Sequence, residues 1–141
     1  MSKKTSYLDH LSGVPLFSSC SRKEIQLLAQ LCDETTVKAG KVLVKQGSVG
    51  YECFVIVEGE ASVDRNGRII TTFGPGAYFG ELALLDKGPR SATVTALTDM
   101  TVLVLGPREF ATALEKIPGL ANKIMSGLAR RLREMDVRLA G

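Results

Sequence analysis

Histidine is almost missing: His10 is the only one in 141 residues, and it precedes the first stretch with helical patterning. A jelly-roll metalloenzyme needs two or more histidines on strands to hold its ion. That class is therefore excluded, and neither a metal nor another cofactor is expected. The same scarcity removes the near-neutral general base that serine, cysteine and aspartate nucleophiles depend on, so the chain does not read as an enzyme. Cysteine is scarce as well. Cys20, Cys32 and Cys53 are odd in number, lack metal-ligand spacing and lie beside apolar or small residues, which is the pattern of reduced packing thiols. No apolar run approaches the roughly 18 to 20 residues of a membrane helix. The opening from Met1 to His10 carries charges but no apolar signal core, so the expectation is a cytoplasmic protein without membrane insertion.

Net charge is absent from most of the chain, with thirteen basic and thirteen acidic side chains in residues 1–118. The excess of +3 sits at the end, where Lys123, Arg130, Arg131, Arg133 and Arg138 outnumber Glu134 and Asp136 on what reads as one helix. Nothing there has the form of a recognition helix with its supporting helix and turn. A solvated helix face is expected, with no specific nucleic-acid binding.

What is present is a change of texture along the chain. Ser21 and Glu24 have capping-box spacing ahead of Ile25, Leu27, Leu28 and Leu31, predicting a helix over 21–31. From 33 to 106, short runs of Val, Ile, Thr and aromatics alternate with glycines. Strands are predicted at 34–37, 42–45, 52–57, 61–65, 68–73, 92–97 and 101–105, with Asn66-Gly67 as the strongest hairpin signal. Such spacing suggests an antiparallel barrel or double-sheet jelly roll. Pro107 then opens a helix to about Lys116, and Pro118 a second to about Leu139. No linker or repeat interrupts this order. The chain reads as a single domain over 1–141: a helical start at about 1–32, a barrel at about 33–106 and helices at about 107–139.

One segment breaks the strand grammar: Phe79-Gly80-Glu81-Leu82-Ala83-Leu84-Leu85 and, after Asp86-Lys87-Gly88, Pro89-Arg90-Ser91-Ala92-Thr93. A glycine ahead of a short helix lets backbone N–H groups approach an anion closely, and a helix start favours negative charge. Arg90, fixed behind Pro89, adds a forked set of donors for two phosphate oxygens. Glu81 accepts hydrogen bonds, so beside a phosphate it is useful only if the ligand also offers a hydroxyl. A ribose 3′,5′-cyclic phosphate offers both features, whereas an inorganic anion does not. Outside this motif, a Glu and an Arg nine residues apart would read as a surface ion pair.

The segment closely resembles the phosphate-binding cassette of the cyclic nucleotide-binding domain family, which includes protein kinase A regulatory subunits, cyclic-nucleotide-gated channels and bacterial catabolite activators. The resemblance extends to Gly40-Lys41-Val42-Leu43, Lys45-Gln46-Gly47, Val57-Glu58-Gly59 and Gly74-Pro75-Gly76, and covers about residues 14–138. It implies a mainly β fold with flanking helices: an eight-stranded antiparallel jelly-roll barrel, an N-terminal helix and two C-terminal helices. It also implies that Glu81 takes the ribose 2′-hydroxyl and Arg90 the cyclic phosphate. Backbone N–H groups of Leu82, Ala83 and Ala92 join them, and Gly80 allows the close turn.

The residue after the cassette arginine is alanine in many cAMP binders of the family and threonine in several cGMP binders; here it is Ser91. Similar bacterial cAMP-binding domains carry serine, so cAMP is expected, with cGMP as the alternative. A degenerate interaction module of the same fold is a further alternative, opposed by the intact Glu81 and Arg90. In catabolite activators the final helix gives polar groups to adenine; the equivalent positions here lie near Met135 and Asp136, which leaves hydrophobic capping. Leu120, Ile124, Leu128, Leu132, Met135 and Leu139 form a helical stripe able to pack on the barrel or on a second copy of the chain. Leu132 and Met135 are the expected base caps on a helix that signals by moving. The expected partners are the cyclic nucleotide, a downstream effector protein the sequence does not name, and a second copy through this helix.

Overall fold

The computed structural model describes the backbone of residues 2–140 and the side chains of residues 7–135. Helix α1 (Ser2–Ser12) leads through a 3-10 turn at Pro15–Phe17 into α2 (Arg22–Leu31). The predicted capping box holds α2: the Glu24 N–H donates to Ser21 Oγ at 3.2 Å, and the Ser21 N–H donates to Glu24 Oε1 at 2.8 Å. Its buried face is Ile25 and Leu28. Strands follow as β1 (Asp33–Val37), β2 (Val42–Val44), β3 (Val49–Gly50), β4 (Cys53–Glu58), β5 (Ala61–Arg65), β6 (Arg68–Phe73), β7 (Tyr78–Phe79), β8 (Gly88–Pro89), β9 (Thr93–Ala96) and β10 (Met100–Leu105).

All pairings are antiparallel, in sheets ordered β1-β10-β4-β7 and β2-β9-β5-β6 with a separate β3-β8 ladder. The described residues thus hold ten strands where eight were expected, and β3, β7 and β8 have two residues each. The β5–β6 hairpin turns at Asn66 and Gly67, with φ of 55° and 80°, as the dipeptide predicts. Strand β4 explains the two-layered core. Cys53, Val55 and Val57 face a cluster with Phe17, Ile25, Leu28 and Phe110, while Phe54 and Ile56 share a second cluster with Val63 and Val94 of the other sheet and Val102 of the neighbouring β10. A strand buried on both faces reads as the unbroken apolar run Cys53-Phe54-Val55-Ile56-Val57.

Helix α3 (Pro107–Lys116) begins on Pro107 as predicted, but α4 (Leu120–Ala140) starts two residues after Pro118 because Gly119 takes φ 76°. Leu120 and Ile124 are buried, and Lys123 Nζ donates to Glu24 Oε1 at 2.5 Å. That contact and the Ser21 amide hold the Glu24 carboxyl below the usual carboxylate range. At Gly127 the helix passes so close to the 3-10 turn that an added Cβ would lie 2.6 Å from the Pro15 carbonyl oxygen.

The N-terminal helices add a pH dependence. Tyr7 O–H donates to Glu34 Oε1 at 2.7 Å, and desolvation together with that carboxylate pushes the phenol up to about 12. Burial pushes the Cys32 thiol up to about 12 as well. The folded chain therefore holds protons that the unfolded chain has already released, so stability is full below the ordinary values and falls as pH rises towards 12. Urea unfolding at pH 8, 10 and 11 should show the loss, and Tyr7→Phe should flatten it; an unchanged slope in that variant would contradict the Tyr7 assignment.

Candidate functional site

The cassette is built from one tight turn and one short ladder. Gly80 sits at φ 79°, ψ 11° and caps a single 3-10 turn at Glu81–Leu84. An added Cβ there would lie 2.5 Å from the Glu52 carbonyl oxygen and would collide with Arg90 Nη1, so the position requires glycine for both conformation and space. Within the turn the Ala83 N–H donates to the Gly80 carbonyl at 3.1 Å. That amide, expected to face an anion, is spent on the turn itself.

Arg90 is held from several directions. Its N–H donates to the Ser48 carbonyl at 2.8 Å, and its carbonyl accepts from the Gly47 N–H at 2.9 Å, extending the β3-β8 ladder. Its Nη1 donates to the Glu52 carbonyl at 3.1 Å, and the guanidinium lies 5.8 Å from the Phe54 ring centroid. Gly50 leaves the room for this, since an added Cβ would collide with the guanidinium. Desolvation pulls the Arg90 pKa below the usual arginine value, opposed by the Glu52 charge. The group still carries its full charge at neutral pH. Glu81 is half-buried, and among the described residues its carboxylate makes no hydrogen bond or ion pair.

All seven expected binding residues, Gly80, Glu81, Leu82, Ala83, Arg90, Ser91 and Ala92, line one cavity of about 440 Å³. Its opposite wall is the face of the second sheet, with Val63 and Arg65 of β5 and Ile70, Thr71 and Phe73 of β6. One wall is charged and rich in backbone amides while the other is largely apolar, which suits a ligand with an anionic end and a flat ring. The predicted caps are not brought here. Leu132 and Met135 are 61% and 45% exposed and do not line the cavity. Helix α4 instead packs on the 3-10 turn at Pro15–Phe17, and its Arg131 Nη1 lies 3.5 Å from the hydroxyl of Tyr78, next to the cassette. Asp136 and Leu139 lie outside the residues with described side chains.

Sequence reading missed Gly50 and the Glu52 carbonyl as supports of Arg90, and Arg65, Ile70 and Thr71 as the facing wall. The alternation Val63, Asp64, Arg65 and the hairpin at Asn66-Gly67 could have placed Val63 and Arg65 on one face beside β6. Which face closes over the cassette is a matter of sheet packing. Among the described residues, no three His, Cys, Asp or Glu side chains gather as metal ligands, and no helix is long and apolar enough to cross a membrane.

Residues 34–116 match the family model for the cyclic nucleotide-binding domain. The fold is similar to the solved N-terminal domain of a transcriptional regulator from Streptomyces coelicolor A3(2), with TM-score 0.84, 32% identity and coverage of 90% of this chain and 94% of that one. The sequence is 31% identical to the cyclic AMP receptor protein of Thermus thermophilus over 92% of this chain and 62% of the relative. It is 32% identical to the cAMP-dependent protein kinase regulatory subunit of Schizosaccharomyces pombe over 92% of this chain and 31% of that protein. The chain thus spans about three fifths of the receptor and about a third of the kinase subunit. With the family model matched across the whole barrel and the cassette lining one cavity, the chain belongs to the cyclic nucleotide-binding domain family.

Proposed function

We propose that this chain, acting as one unit, is a regulatory sensor that binds cAMP between the cassette and the β5–β6 wall and carries out no catalysis. The observation that carries this reading is the pairing of Arg90 and Glu81 on one cavity: a guanidinium fixed through backbone and side chain, and a carboxylate with its acceptors uncommitted. Arg90 takes the cyclic phosphate with the Leu82 and Ala92 amides, and Glu81 takes the ribose 2′-hydroxyl. Ser91 and the names of the receptor and kinase relatives favour cAMP, with cGMP second. A thermal-shift series tests this, because a ligand at one hundred times its Kd adds about 2.7 kcal/mol to stability. cAMP should raise Tm by several degrees and cGMP by less; no shift with either would contradict the reading.

Helix α4 is the moving part in this proposal. Its outer end is held by few contacts, namely Arg130 to the Ser18 and Ser19 hydroxyls at 3.5 and 3.2 Å and Arg131 to Tyr78. Met125, Leu132 and Met135 leave an apolar stripe exposed along it, which can fold over the base or meet the same stripe of a second copy. A ligand shifts this helix only by binding the closed state better. Truncation after Arg130 should therefore weaken cAMP more than base-free ribose 3′,5′-cyclic phosphate. NMR shifts on cAMP addition confined to the cassette, with 118–139 unchanged, would leave the helix as scaffold or dimer seam.

A further inference from the structure

A separate cavity of about 400 Å³ lies between the 3-10 turn and α4, lined by Ser18, Tyr78, Arg130, Arg131 and Glu134 among others. Arg130 Nη1 and Nη2 donate to the Ser18 and Ser19 hydroxyls at 3.5 and 3.2 Å, and Arg131 Nη1 donates to the Tyr78 hydroxyl at 3.5 Å. These bonds are long for a charged donor, which approaches an anionic oxygen to about 2.7 to 2.9 Å. Glu134 stands four residues after Arg130, yet among the described residues neither arginine makes an ion pair. Two guanidinia thus border one space with only neutral oxygens as acceptors. Ser18 Oγ spends its proton on the Pro15 carbonyl at 2.9 Å, whereas the Ser19 and Tyr78 hydroxyls keep theirs for an incoming acceptor.

The geometry points to a second ligand site, separate from the cassette, for the phosphate monoester of a small polyol such as a sugar. A monoester phosphate carries about two negative charges at neutral pH and several acceptor oxygens, which matches two guanidinia and two free hydroxyl donors. A carboxylate offers one charge. Glu134 repels a bare anion but accepts a hydrogen bond from a hydroxyl, so the body of the ligand is a polyol. Ser19 is half-buried between the 3-10 turn and the capping box of α2, so no extended segment presents it to a kinase and the phosphate belongs to a free molecule. The same arginine contacts are the ones α4 gives up if it moves to close on cAMP. A molecule bound here therefore opposes cAMP, and cAMP opposes it to the same degree. That coupling rests on the cyclic nucleotide reading above, whereas the site does not.

Calorimetry with ribose 5-phosphate, inorganic phosphate and ribose at matched ionic strength tests the site. Ribose 5-phosphate should bind saturably, inorganic phosphate more weakly and ribose not at all. Arg130→Ala and Arg131→Ala should each weaken ribose 5-phosphate about ten-fold, the loss of one charge-assisted contact. Arg90→Ala should leave this binding as it is. A loss in Arg90→Ala alone would put the phosphate in the cassette and overturn the second site. The absence of saturable binding, or the same affinity in the wild type and both α4 variants, would overturn it too. Saturating cAMP should weaken ribose 5-phosphate; a wild type that binds ribose 5-phosphate but not cAMP overturns the cyclic nucleotide reading and supports the second site.

Discussion

Arg90→Ala should weaken cAMP binding roughly thirty- to several-hundred-fold, the largest loss of any single side chain in the cavity. A charge-assisted, largely desolvated phosphate contact is worth on the order of 2 to 4 kcal/mol. Lys87, the other cation of the segment, lies over the Tyr51 ring and does not line the cavity. The fold should change little, because the variant gives up only the Nη1 hydrogen bond to the Glu52 carbonyl, worth about 1 kcal/mol, and the guanidinium's contact with the Phe54 ring, while the backbone bonds of Arg90 remain. Glu81→Ala removes a hydroxyl contact and should cost less, about ten-fold. Calorimetry that finds unchanged cAMP affinity in Arg90→Ala would sink the assignment.

Gly50→Ala should come next, and it acts without touching a charged group. Gly50 has no positive φ, so alanine suits its backbone. The added Cβ collides with Arg90 Nε and Cζ, the far end of a flexible side chain that can swing away. Stability should therefore hold to within about 1 kcal/mol while affinity drops at least about ten-fold, because the guanidinium loses its place before ligand arrives. Gly80→Ala differs in kind. There the φ of 79° costs about 1 to 2 kcal/mol for any L side chain. The added Cβ also meets the Glu52 carbonyl of the backbone, which cannot step aside. Paired melting and binding curves separate the two: Gly50→Ala loses affinity alone, and Gly80→Ala loses both. A Gly50→Ala protein that binds cAMP like the wild type would show that Arg90 needs no such preorganisation.

Where local chemistry decides structure, the sequence was readable. Ser21 and Glu24 make both capping bonds, Asn66-Gly67 turns the hairpin, and Pro107 starts α3. The cassette residues were legible because Gly80, Glu81 and Arg90 carry chemistry that few other contexts need. Strands β3, β7 and β8 were not, since two residues have no periodicity and pair only because distant segments are brought alongside. Gly50 read as one more turn glycine; its role comes from Arg90, forty residues later, folding against it. Leu132 and Met135 show the limit of helical spacing. Periodicity placed them on one stripe with Leu120 and Ile124, but those two take the docking surface and leave the outer residues exposed. A stripe states which residues share a face and is silent on what covers it.

Whether the cavity with Arg90 and Glu81 on its cassette wall holds the nucleotide is decided by a crystal structure of the chain with cAMP. The expected complex has a phosphate oxygen within hydrogen-bond distance of the Arg90 guanidinium, the 2′-hydroxyl on Glu81, and the base against Val63, Ile70 and Thr71. Nucleotide bound elsewhere, or bound here with Arg90 still turned only to the Glu52 carbonyl, would contradict it.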